Sequence, residues 1–200
     1  MLYILLLLAV AGLGLAASLT LFGNGDGSGK TASTGRALVG GPFQLVNQLG
    51  ETVTEATYKG RYTLVYFGYT FCPDVCPEGL QTIGSALDIF EEKGGKLDRI
   101  VPIFVTVDPE RDTPEIMKEY VSNFHPSLQG LSGTVAQMSD AAKAYRIYWA
   151  KVKDPDSSAE YLMDHTSLTY LMGPDGEYLS HFSHNISVEK MAERLIAVVH

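Results

Sequence analysis

Apolar and polar positions divide the chain into three stretches. From Leu2 to Phe22 the sequence is an almost unbroken apolar run, and no Asp, Glu, Lys, Arg or His stands before Asp26. As a helix rising 1.5 Å per residue, such a run is roughly 30 Å long, the thickness of a bilayer core. From Gly23 to Gly41 (GNGDGSGKTASTGRALVGG) the hydrophobic period disappears and Gly, Ser and Thr dominate. From Pro42 to His200 apolar residues recur with the periods of strands and helices. The pattern predicts a single-pass transmembrane anchor over 1–22, a flexible linker over 23–41 and one folded domain over 42–200. A cleaved secretory signal peptide is the rival for the first stretch, with Ala16-Ala17-Ser18 as its cleavage site. The length of the run and its lack of a basic head favour the anchor. A coil as long as the linker spans roughly 25 Å, which keeps the domain close to the membrane.

Inside the domain, Phe43–Asn47 and Thr52–Thr54 flank Leu49-Gly50 and read as a hairpin. Tyr62–Tyr69 is apolar on both faces, as a central strand of a covered sheet is. A helix from Pro77 to about Lys93 carries Leu80, Ile83, Leu87 and Phe90 on one stripe and stops at Gly94-Gly95. Ile100–Val107 is a second buried strand, and Thr113-Pro114 caps a helix over 115–124. A short helix at 139–145, a strand at 146–152, strands at 167–172 and 178–182 joined by a Gly-Pro-Asp-Gly turn, and a helix from Ser187 complete the order. This order argues an α/β domain, a mixed sheet flanked by helices with an N-terminal β-hairpin.

Composition then removes function classes. Fifteen basic against 23 acidic residues give a net charge of −8, so the basic face that nucleic acid requires is absent. Two cysteines cannot supply a disulfide scaffold or a four-thiolate zinc site. Gly29-Lys30-Thr31 ends like a phosphate-binding loop, but Asn24 stands where that loop needs glycine and no soluble strand precedes it.

The two cysteines carry the chemistry. They lie in Phe71-Cys72-Pro73-Asp74-Val75-Cys76-Pro77, where a central strand hands over to a helix. Ligands gather at the carboxyl ends of strands in open α/β sheets, and a helix N-terminus favours thiolates. Cysteines four apart face each other within one turn, close enough for one metal ion or one disulfide. A disulfide closing so short a loop would stabilise weakly. Three intervening residues, rather than the two usual in exchange motifs, favour metal over redox exchange. Thiolates select Cu(I) or Zn(II). Zinc wants four protein ligands in a closed site; Cu(I) is satisfied by two or three, so one imidazole would complete a site.

Five histidines are available. His125 reads as a polar cap and His200 as a frayed terminus. His181 and His184 read as surface residues, with a weak second metal site as the alternative. His165, just before a strand, stands evenly between a third ligand and a satisfied polar histidine.

Tyr66-Phe67-Gly68-Tyr69-Thr70-Phe71-Cys72-Pro73-Asp74-Val75-Cys76-Pro77 resembles the signature of the Sco/SenC family of copper chaperones for cytochrome c oxidase. Val107-Asp108-Pro109-Glu110-Arg111-Asp112-Thr113-Pro114 and Tyr161 through His165 resemble that family too. The similarity covers about Gly41 to Leu195. It implies a thioredoxin-like fold and copper, as Cu(I) and Cu(II), held by Cys72, Cys76 and His165. It implies a membrane-anchored metallochaperone that is not an enzyme in the usual sense. Its expected partners are the copper-bearing subunit of the oxidase and other copper chaperones or thiol reductants. The expected location is a bacterial inner membrane with the domain in the periplasm, since no Arg- and Ser-rich presequence precedes the run; the mitochondrial inner membrane, facing the intermembrane space, is the alternative.

The rival from another class is a thiol-disulfide oxidoreductase, with Cys72 and Cys76 as its redox pair, reducing cysteines of the oxidase copper site. A peroxidase is weakened by the lack of a Thr-x-x-Cys element before Cys72. Asp108, Arg111 and Asp112 read as an Arg–carboxylate clamp on a loop with Thr113 as helix cap. Tyr66 and Phe67 read as core. Tyr69 and Phe71 are placed to shield copper from water, and Asp164 is expected to point away from His165.

Overall fold

The computed structural model describes residues 38–153 and 159–200. The expected anchor over 1–22 and most of the expected linker lie outside the described residues. Among the described residues no helix is long and apolar enough to cross a membrane. Leu38 to Gly41, the end of the stretch read as linker, lie on the domain. Gly40 N–H donates to Ala144 O at 3.0 Å, and Arg146 Nε donates to Leu38 O at 3.1 Å.

Nine strands and four α-helices are present among the described residues: β1 Gln44–Asn47, β2 Thr52–Thr54, β3 Tyr62–Gly68, α1 Val75–Glu92, β4 Ile100–Thr106, α2 Pro114–Val121, β5 Gln129–Ser132, α3 Val135–Ala144, β6 Trp149–Val152, β7 Leu162–His165, β8 Leu168–Met172, β9 Tyr178–Ser183 and α4 Val188–Val198. Seven strands form one mixed sheet in the order β2-β1-β5-β4-β3-β8-β9. β3 runs parallel to β4, and β4 to β5, while β1 and β8 join antiparallel. β6 and β7 form a separate antiparallel pair.

The register explains the layers. Tyr66, Phe104 and Gly130 are lateral neighbours across β3, β4 and β5. On their face Tyr66 meets Gly79 of α1, Gly130 lies against Met117 and Val121 of α2, and α4 packs beside α1. Phe67, Val105 and Leu131 form the next row, facing the other way, where Phe67 meets the Tyr145 ring beyond α3 at 5.4 Å. Every residue of β4 is buried, which accounts for its almost wholly apolar sequence.

The expected mixed sheet with its hairpin is present, and β1–β2 pair as read. Two strands have no counterpart in the sequence reading. β5 (QGLS) has no apolar alternation; it is a strand because it fills the slot between β4 and β1. Gly130 fits there closely, since a Cβ would stand 3.0 Å from Val121 Cγ1. β7 is short and exists by pairing with β6, Trp149 opposite His165. Two helices begin earlier than expected. α1 starts at Val75, which puts Cys76 in its first turn. α3 starts at Val135, where Thr134 and Gln137 form a reciprocal cap.

Candidate metal centre

The site begins at the carboxyl end of β3. Gly68 ends the strand, the chain turns with Cys72 N–H on Tyr69 O at 3.3 Å, and α1 starts after Asp74. Cys76 is fully buried and Cys72 half-buried. Cys76 N–H, one of the unpaired donors of the first helical turn, donates to Cys72 Sγ at 3.4 Å.

β8 neighbours β3 in the sheet, so the chain entering β8 passes the cysteine corner. That chain is β7, ending in His165, whose Nε2 stands 3.4 Å from Cys76 Sγ. His165 Nδ1 lies 3.2 Å from Thr166 O. A carbonyl only accepts, so this bond puts the ring proton on Nδ1 and leaves the Nε2 lone pair facing the sulfur. The Tyr69 ring stands edge-on to the imidazole at 5.9 Å and packs it in place.

The ligand atoms of Cys72, Cys76 and His165 all lie within 4.8 Å of one another, and among the described residues no other His, Cys, Asp or Glu trio does so. Donors bound to one ion at ordinary bond lengths stand roughly 3.5 to 4 Å apart, so the trio fits a three-coordinate ion after small adjustments. Two soft sulfurs and one imidazole suit a soft or borderline metal. Cys72 and His165 open on a groove lined also by Pro73, Asp74 and Val75 and by Leu162, Met163 and Asp164, with Cys76 buried behind them. A more enclosed cavity of about 290 Å³ lies across the sheet, lined by Val65, Phe67 and Tyr145 among others, far from the thiols.

The thiols share one proton unequally. A hydrogen bond from the Cys76 thiol pulls the Cys72 thiol down to about 4, against the desolvation of its half-buried position, and the Cys76 N–H adds to the pull. Cys76 is pushed up, first by that same hydrogen bond to Cys72 and then by burial. Without metal the pair is therefore a Cys72 thiolate beside a Cys76 thiol, and binding an ion between them releases a proton.

Asp112 fixes the cysteine loop. Its carboxylate accepts from Thr70 N–H at 3.0 Å, Thr70 Oγ1 at 2.5 Å and Thr106 Oγ1 at 2.6 Å. Burial pushes the Asp112 carboxyl up and these three donors oppose it. The expected clamp is present: Arg111 Nε pairs with Asp108, and Thr113 Oγ1 accepts from Ile116 N–H at 3.4 Å. Tyr66 and Phe67 are core, and Asp164 is exposed.

The other sequence candidates lie elsewhere. Phe71, expected as a shield with Tyr69, is 52% exposed and stacks its ring against the Arg111 guanidinium at 5.1 Å; only Tyr69 covers the histidine. His125, read as a polar cap, is buried. Its Nδ1 accepts from Ser127 N–H at 3.2 Å, and its Nε2 stands 3.6 Å from Asp88 Oδ1. His181 and His184 are exposed, and His181 Nδ1 is engaged by Tyr178 OH at 2.6 Å. His200 is held by Arg99 Nε on its carbonyl at 2.9 Å instead of fraying. Thr70, Thr106 and Tyr161 hold the site together and were not singled out from sequence. Thr70 and Tyr161 lie within the quoted motifs and Thr106 ends β4, but nothing local marks any of them as an anchor.

Two thiols and an imidazole at the carboxyl edge of a sheet define a thiolate–imidazole centre on an α/β domain of thioredoxin type. The fold matches the thioredoxin domain of a thiol-disulfide oxidoreductase from Bacteroides vulgatus at 15% identity, with a TM-score of 0.55 over 82% of this chain and 98% of that one. The chain belongs to the SCO1/SenC family, whose model matches residues 31–200. It is 41% identical over 155 residues to a SCO2-like protein of Rickettsia prowazekii, covering 78% of this chain and 74% of that protein. It is 44% identical over 152 residues to the human mitochondrial SCO1 homologue, covering 76% of this chain and 50% of that one. Among solved structures it is similar to Arabidopsis thaliana ScoI with copper bound. That match has 39% identity and a TM-score of 0.75, over 80% of this chain and 96% of that one.

Proposed function

We propose that this protein binds copper through Cys72, Cys76 and His165 and delivers it as cargo during cytochrome c oxidase assembly, tethered to a membrane by residues 1–22. The observation that carries the reading is the trio itself: two sulfurs and an imidazole nitrogen converge within 4.8 Å, with Cys72 and His165 facing a groove. Membership of the SCO1/SenC family and similarity to a ScoI solved with copper support copper over other soft metals.

The arrangement suits transfer. Cys76 lies at the buried back of the site, while Cys72 is only partly buried and is the sulfur an incoming thiolate reaches first. Each sulfur can yield to an acceptor ligand in turn, so cargo leaves by exchange without being released free. The test is metal analysis of the full-length chain in detergent after exposure to Cu(I) under reducing conditions and to Cu(II). One copper per chain is expected, and the Cys72→Ala, Cys76→Ala double variant should bind none. Undiminished binding by that variant would place copper elsewhere.

The depressed Cys72 thiol supports thiol exchange as a second reading. The Cys72 thiolate attacks one sulfur of a partner disulfide, and the other sulfur leaves as a thiolate that takes up a proton. Cys76 then loses its proton and displaces the second thiolate, closing a Cys72–Cys76 disulfide. Two electrons pass to the partner, and an external thiol reductant restores the pair.

A further inference from the structure

β6 and β7 stand apart from the main sheet. A two-stranded pair is marginal on its own, so His165 keeps its place only if the pair is fastened elsewhere. Besides the burial of Met163 in the core, the pair is fastened at Tyr161, one residue before β7. Tyr161 OH donates to Asp108 Oδ1 at 2.9 Å, and Tyr161 O accepts from Arg111 Nη1 at 3.1 Å. The Arg111 guanidinium lies 3.9 Å from the centre of the Tyr161 ring. Lys151 of β6, paired with Glu110, stands 4.3 Å from that ring. Asp108 is 1% exposed and holds Arg111 through Nε, fixing the guanidinium plane. Arg111 Nη2 is buried with no hydrogen-bond partner. Its other ring neighbours are Phe71 and Tyr69 of the cysteine loop, at 5.1 and 5.9 Å. One loop thus grips both halves of the site, the cysteine side through Asp112 and the histidine side through Arg111 and Asp108.

We propose that Arg111, held by Asp108 and stacked on Tyr161, is a positioning residue that sets His165 against the cysteines and so decides between a three-ligand and a two-sulfur copper site. The inference rests on the copper reading above. Two sulfurs alone hold Cu(I), whereas Cu(II) prefers additional nitrogen or oxygen ligands. Loosening β7 therefore weakens Cu(II) selectively. Lysine keeps the charge but cannot reach Asp108 and Tyr161 O together or stack as a plane, so charge alone should not restore the site.

The experiment uses the full-length chain in detergent with Arg111→Gln, Arg111→Lys and Tyr161→Phe. In metal-free protein, amide hydrogen exchange should rise about tenfold or more across Leu162–His165 in Arg111→Gln, with β3 and β4 unchanged, as expected for losing a charged hydrogen bond. Titrated with Cu(II) and Cu(I), the same variant should lose about tenfold or more in Cu(II) affinity and little in Cu(I). Arg111→Lys should resemble Arg111→Gln, and Tyr161→Phe should fall between it and wild type. Wild-type exchange in β7 together with wild-type Cu(II) affinity in Arg111→Gln would overturn the proposal, as would full restoration by lysine. If Arg111→Gln loosens β3 and β4 as well, Tyr161→Phe decides by the same readings. Should the wild type take up no copper at all, the copper reading fails, and the exchange of β7 alone still decides whether Arg111 holds it.

Discussion

Gly68 and Cys76 are packed so closely that a Cβ on the glycine would stand 2.8 Å from Cys76 Sγ and 2.7 Å from the Phe104 ring. The last residue of the central strand therefore makes room for the buried sulfur, with the β4 aromatic closing the other side.

Gly68→Ala should push Cys76 outward or strain Phe104. Overpacking of this kind costs about 1–3 kcal/mol. Urea denaturation should show that loss, and copper affinity should fall with it because the Cys76–His165 contact at 3.4 Å is disturbed. Wild-type stability and wild-type affinity in this variant would mean the strand end is looser than the packing indicates.

The unequal thiols give a pH signature. An ordinary cysteine has a pKa of about 8.5 and is under about 1% thiolate at pH 6. Cys72, pulled down to about 4, is ionised there. Its alkylation rate in the metal-free protein should be flat above about pH 5 and fall as pH drops through 4. Cys76, pushed up and buried, should react slowly throughout. Peptide mass spectrometry at a series of pH values reads both. A Cys72 rate still climbing tenfold per unit towards pH 8 would contradict the shared-proton arrangement.

Much of the fold was legible because its strongest elements are buried on both faces or carry explicit punctuation. β3 and β4 are almost wholly apolar, broken by Thr63 and Thr106, and α1 has a clear stripe and a double-glycine stop. β5 was not legible: its four residues carry no strand pattern, and only the slot beside β4 makes them a strand. The cysteines were legible as chemistry because both fall at one strand-to-helix corner. Local sequence leaves His165 evenly between a third ligand and a satisfied polar histidine. Its place depends on β8 lying next to β3, a non-local pairing, and the resemblance to a known family supplied what the spacing could not. Tyr161 was quoted as part of a motif, yet its grip on Arg111 and Asp108 arises from residues some fifty positions away.

Oxidising Cys72 and Cys76 to a disulfide should abolish copper uptake. A disulfide sulfur has no thiolate to donate, and His165 alone cannot hold the ion. Stoichiometric copper in protein that mass spectrometry shows to be fully oxidised would remove the cysteines from the site. Reduction of the same sample should restore binding, which separates loss of ligands from damage.

His165→Ala separates the two chemical readings. Two thiolates can hold Cu(I) in a linear arrangement, so Cu(I) binding should persist in weakened form. Cu(II) prefers a tetragonal set with nitrogen or oxygen donors, so its affinity should fall by at least about tenfold, about 1.4 kcal/mol. The sulfur-to-copper charge-transfer band should shift or vanish. His181→Ala should change neither, since that ring is exposed and engaged by Tyr178 OH. Thiol–disulfide exchange by His165→Ala should continue, because attack and resolution need only the two sulfurs. An activity carried mainly by exchange would thus survive the substitution, and one carried by copper transfer would be impaired. If His165→Ala binds Cu(II) like wild type while His181→Ala does not, the third ligand is misassigned, and the placement of β7 against the cysteine loop has no role in holding metal.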